Sequence, residues 1–112
     1  MASAEEIAWA AGLFDGEGCI THTARDLQLL LKNTDLELVQ RFELIVDRGH
    51  SYGPYSYQSP DGYKRKPVWT WVAHGDAAHD VVDLFARWLS QRRLEQARVH
   101  GVITPYTHPH KS

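Results

Sequence analysis

From the N-terminus, the hydrophobic positions alternate between helical and strand spacing, then finish in two helical stretches. Ser3-x-x-Glu6 has capping-box spacing and predicts a helix from Ala4 to Phe14 or Asp15. The helix is expected to unwind at Gly16 and Gly18, where glycine tolerates positive φ. Two strands follow over 19–24 and 26–32, turning near Ala24 and Arg25. Cys19, Thr21 and Thr23 share one face, opposite Ile20 and His22. In the next strand Leu27, Leu29 and Leu31 oppose Asp26, Gln28, Leu30 and Lys32.

Thr34-x-x-Glu37 is a second capping box, so a helix is expected from near Asp35. Its apolar stripe is Leu38, Val39, Phe42, Ile45 and Val46, and Gly49 closes it. A second hairpin is expected over 51–58 and 67–74, turning at Pro60, Asp61 and Gly62. There Trp69 and Trp71 face one way, Val68, Thr70 and Val72 the other. Helices over 76–89 and 91–99 complete an α+β order with a hint of αββ duplication but no clear sequence repeat.

The chain has 112 residues, enough for one domain with a real core but little surplus. Residues 1–104 are expected to form that domain, and 105–112, with Pro105 and Pro109, a flexible tail. A single cysteine, Cys19, excludes an internal disulfide framework and a cysteine zinc cluster. No apolar run reaches the roughly 18 residues a membrane span needs. No secretory signal pattern opens the chain, so an intracellular protein is expected. The net charge is −2, which by itself argues against nucleic acid. Its distribution is uneven. Residues 1–18 hold four acids and no base, while the two hairpins and the C-terminal segment are basic. Positive charge on the strands permits a phosphate-facing sheet without requiring one.

Residues 10–18 read Ala-Ala-Gly-Leu-Phe-Asp-Gly-Glu-Gly. Ala8, Gly12 and Gly16 recur every fourth residue and leave one helix face nearly bare, so another backbone can approach closely. That neighbour is either the chain's own sheet or a second chain. The motif then ends in two carboxylates, Asp15 and Glu17.

This motif and element order resemble the LAGLIDADG homing endonucleases. Asn33-Thr34-Asp35 after the second strand, the aromatic strand at Trp69-Thr70-Trp71, and Arg92-Arg93-Leu94-Glu95-Gln96-Ala97 agree with the family as well. The resemblance spans residues 4–99. It implies an αββαββα fold with a four-stranded antiparallel, saddle-shaped sheet laid in the DNA major groove. It also implies a homodimer whose motif helices meet through Ala8, Ala11, Gly12 and Gly16. A two-fold protein needs a near-palindromic duplex.

The implied activity is Mg²⁺-dependent phosphodiester hydrolysis of double-stranded DNA, cutting both strands across the minor groove. Glu17 is the implied metal ligand, with the Gly16 carbonyl as a further oxygen, and the partner chain supplies the second carboxylate. Hard cations suit such oxygen donors. Asp15 is implied to be structural. Asn33 matches a water-ordering polar position, and Arg93, or Arg92 beside it, a cation near the phosphate. Implied DNA contacts are Thr21, Thr23, Arg25, Gln28 and Lys32 on the first hairpin, and Lys64, Lys66 and Thr70 on the second. The seven histidines, among them His108 and His110, show no strong ligand spacing. The alternative is a catalytically inactive relative that binds DNA or RNA as a regulator or maturase.

Overall fold

A computed structural model describes residues 2–23, 26–55 and 66–103. Its elements are α1 (Ala4–Glu17), β1 (Gly18–Thr23), β2 (Asp26–Asn33), α2 (Leu36–Val46), β3 (His50–Tyr55), β4 (Val68–His74), α3 (Asp76–Phe85) and α4 (Gln91–Ile103). The strands form one antiparallel sheet in the order β1-β2-β4-β3. The expected α+β order is therefore observed. The two predicted turns, Arg25, Lys64 and the tail with His108 and His110 lie outside the described residues.

Alternation in the strands decides which sheet face is covered. Leu27 and Leu31 are fully buried and Leu29 nearly so, together with Ile20, Trp71 and Ala73. Ala10, Ala11 and Phe14 of α1, Phe42 of α2, Val81 and Phe85 of α3 and Ala97 of α4 join the same core. Its centre is aromatic. Phe42 meets Trp71 edge-on at 4.8 Å between ring centroids, and Phe14 lies 6.1 Å from Phe85 and 6.4 Å from both Phe42 and Trp71. Edge-on and tilted arrangements suit the ring quadrupoles and add to the area buried. Among the described residues the helices lie on one face of the sheet and none covers the other.

Helix boundaries follow local hydrogen bonding. The Ser3 capping box is formed: Glu6 N donates to Ser3 Oγ at 3.1 Å, and Ser3 N to Glu6 Oε1 at 2.9 Å. At α2 the cap is Asp35, whose carboxylate accepts from Leu38 N at 3.3 Å, one residue beyond the expected Thr34 box. Asp47, in the left-handed region at φ 55°, ends α2 in place of Gly49. Gly49 instead makes room for a tryptophan. A Cβ there would lie 2.7 Å from Trp71 Nε1, which donates to Arg48 O at 2.8 Å. The third helix stops at Phe85, short of the expected residue 89, and the fourth runs on to Ile103.

The first helix does not unwind at Gly16 but continues to Glu17. Gly18 has φ −77°, ordinary extended backbone, so positive φ is not why glycine is there. Space is the reason. A Cβ on Gly18 would fall on the Phe14 ring. We expect Gly18→Ala to cost about 1–3 kcal/mol, the usual penalty of overpacking, as a lower urea midpoint with unchanged slope.

Candidate functional site

Glu17 is the last residue of α1 and is exposed. Asn33 ends β2, and because Gly18 pairs with Leu31 the two residues lie at the same end of the sheet. Asn33 Nδ2 donates to Glu17 Oε1 at 3.0 Å, while Asn33 Oδ1 accepts from Asp35 N at 2.8 Å. One asparagine thus joins the motif carboxylate to the start of α2. In this geometry Asn33 orients Glu17.

A second set of bonds fixes the backbone around Glu17. Asp15 Oδ1 accepts from Ser90 N at 2.9 Å, just before α4. Arg93 answers from the first turn of that helix. Its Nε donates to Asp15 O at 3.0 Å, one Nη to Gly18 O at 2.6 Å and the other to Gln96 Oε1 at 2.9 Å. Ser90 Oγ accepts from Arg93 N at 3.3 Å, the pattern of an N-cap. Farther along, His22 Nδ1 and His100 Nδ1 are 2.8 Å apart and tie α4 to β1.

Asp15 is therefore structural, as expected, whereas Arg93 is not placed as expected. Arg93 is only 8% exposed, and its guanidinium is spent on carbonyl groups at the α1–β1 junction. It is a positioning residue and does not reach out toward a phosphate. Arg92 is the exposed member of the pair. Ser90 carried no expectation, although a serine immediately before a helix is an N-cap signal.

The bare face of α1 is confirmed in part. Gly12 and Gly16 are exposed, and a Cβ on either meets nothing within 4 Å. Ala8 is half-buried. Ala11 is completely buried inside this chain, so it cannot present surface to a second one.

On the uncovered sheet face, cross-strand pairs align Thr21 with Gln28, Thr23 with Asp26, Lys32 with Thr70 and Gln28 with His74. Thr23 and Lys32 are exposed, and Thr21, Gln28 and Thr70 half-buried. Lys66 is exposed just before β4. Over this face runs a groove of about 460 Å³, bordered by Gln28, Leu30, Lys32, Tyr52, Thr70 and Val72 among others.

The α1 terminus suits a cation but is incomplete for one. Its carbonyls, Gly16 O among them, lie in the turn that a helix leaves without internal donors, and the helix dipole adds negative potential. No basic residue occupies that last turn. Yet among the described residues no three His, Cys, Asp or Glu side chains gather to hold a metal.

Donation from Ser90 N holds the Asp15 carboxyl below its ordinary value of 3.8, with the Arg93 and Arg92 charges adding to the effect. A lowered folded pKa stabilises the fold above the unfolded value and loses that stabilisation as pH falls through the folded one. Asp15→Ala should cost about 1 kcal/mol at neutral pH, the usual worth of a cap. In urea titrations this gap from wild type should close as pH drops below 3.8.

No family model matches the chain, and no curated protein does. Solved structures do. The homing endonuclease I-CvuI, bound to its target with Ca, superposes with a TM-score of 0.63 at 18% identity, covering 88% of this chain and 66% of that one. In complex with the I-CreI target, with Mg present and the DNA not cleaved, I-CvuI gives 0.61 at the same identity and coverage. The group I intron-encoded homing endonuclease I-CeuI, complexed with DNA, gives 0.64 at 7% identity over 91% of this chain and 55% of its own. Among the described residues no helix is long and apolar enough to cross a membrane. With its four-stranded antiparallel sheet, four helices and motif helix at the start, the chain has the fold of the LAGLIDADG homing endonucleases.

Proposed function

We propose that the protein is a site-specific DNA endonuclease that works as a homodimer and hydrolyses phosphodiesters with Mg²⁺. The observation that carries this reading is the Glu17 carboxylate, exposed at a helix end, oriented by Asn33 at the end of the sheet. The fold neighbours described above are DNA complexes. In this reading Thr21, Thr23, Arg25, Gln28, Lys32, Lys64, Lys66 and Thr70 face a near-palindromic duplex. Threonine and glutamine suit base edges, and lysine and arginine suit phosphates or guanine.

Glu17 and the Gly16 carbonyl of each chain would hold the cation, the two Glu17 side chains meeting where Gly12 and Gly16 let the helices approach. Bound Mg²⁺ supplies charge neutralisation and water activation. Asn33 keeps the carboxylate pointed outward. Arg93 and Asp15 hold the backbone on either side of it, so that little ordering is left for the moment of reaction. The alternative, a DNA- or RNA-binding relative without catalysis, draws support from Arg93, whose burial leaves Arg92 as the one exposed member of the pair expected beside the phosphate.

A randomised duplex library incubated with Mg²⁺ or Ca²⁺ separates the two. Sequence-specific ends with Mg²⁺ are expected, falling by about two to three orders of magnitude in Glu17→Gln, the scale for loss of one transition-state-stabilising group. Enrichment of uncut duplexes under both ions favours the binder. Gly12→Ala tests the helix contact: it meets nothing inside the chain, so sedimentation should show weaker self-association with thermal unfolding of the monomer unimpaired.

A further inference from the structure

We propose that Leu30 reads a methyl-bearing pyrimidine, thymine in ordinary DNA, at one position in each half of the bound site. This rests on the open sheet face being the DNA interface.

The face is built in cross-strand rows, and the rows differ in chemistry. Thr21, Gln28 and His74 form one, and Lys32, Thr70 and Tyr52 another; every member can donate or accept a hydrogen bond. Between them lies Cys19, Leu30 and Val72, with no strong donor or acceptor on three successive strands before the row ends at the exposed His50 of β3. Val72 is 6% exposed, so the half-buried Leu30 carries the row's apolar surface into the groove.

A base edge set against Leu30 finds no strong hydrogen-bond partner in Cys19 or Val72 on either side of it, His50 standing one strand farther on, beyond Val72. Adenine and guanine present N7 with N6 or O6 in the major groove, and cytosine presents N4 beside a bare C5–H; covering the polar atoms without a partner leaves them desolvated. Thymine alone presents a C5 methyl, which an apolar side chain covers at no such cost. Rows two residues apart are separated by about 6.6 Å, close to two base-pair steps of about 3.4 Å. The methyl-read position therefore lies about two base pairs inward and outward of positions read by hydrogen bonds.

The test uses the full chain and the duplex it selects, in Ca²⁺ so that binding is read by itself. Each thymine is replaced singly by deoxyuridine, which removes only the methyl. Wild type should bind roughly fourfold more weakly at one position per half-site, the worth of about one buried methyl. Leu30→Ala, with its folding checked by circular dichroism, should lose that discrimination, and Leu30→Met should keep it. A wild type that binds its duplex but ignores every methyl, or a Leu30→Ala variant that still discriminates, overturns the inference and leaves the DNA interface standing. If no duplex is selected, the interface and the inference fall together.

Discussion

An exchange of hydrogen bonds between two helix ends holds the motif carboxylate in place. The Asp15 carboxylate takes the free N–H of Ser90 at the start of α4, and Arg93 of α4 returns bonds to the carbonyls of Asp15 and Gly18. Glu17 lies between those two carbonyls. Phe14, three residues earlier, is clamped among Phe42, Trp71 and Phe85, and Gly18 is bare so that its ring fits. Core packing fixes the helix and the exchange fixes its end, which leaves Glu17 itself exposed.

This division explains how one short motif serves three ends. Ala10, Ala11 and Phe14 face inward, Gly12 and Gly16 face out, and Asp15 and Glu17 part company at the terminus. Asp15 neutralises a helix start within the chain. Glu17 adds charge to a helix C-terminus already negative through its carbonyls, an arrangement unfavourable without a cation. Carrying that cost at an exposed position is understandable where a divalent ion and a second carboxylate complete the site.

Much of this was legible in residue order. Alternation assigned Leu27, Leu29 and Leu31 to the core and Gln28, Leu30 and Lys32 to the open face, because a strand has only two sides. Boundaries were less legible where two caps compete, as at Thr34 and Asp35, or where packing overrides glycine's freedom, as at Gly18. Ala11 was misplaced because helical spacing shows which residues are small without showing which face the core claims. Arg93 departs from expectation for a related reason. An arginine near a motif looks like a phosphate ligand until tertiary contacts show its donors bound to Asp15 and Gly18, 78 and 75 residues away.

In the proposed reading each chain builds half of a site and two chains meet on one duplex. Native mass spectrometry of the wild-type protein on its selected duplex in Ca²⁺ decides this. Two chains per duplex are expected, with duplexes halved at the pseudo-dyad carrying one chain weakly. A single chain per intact duplex, in a preparation that still cuts both strands when Mg²⁺ is added, would contradict a shared site.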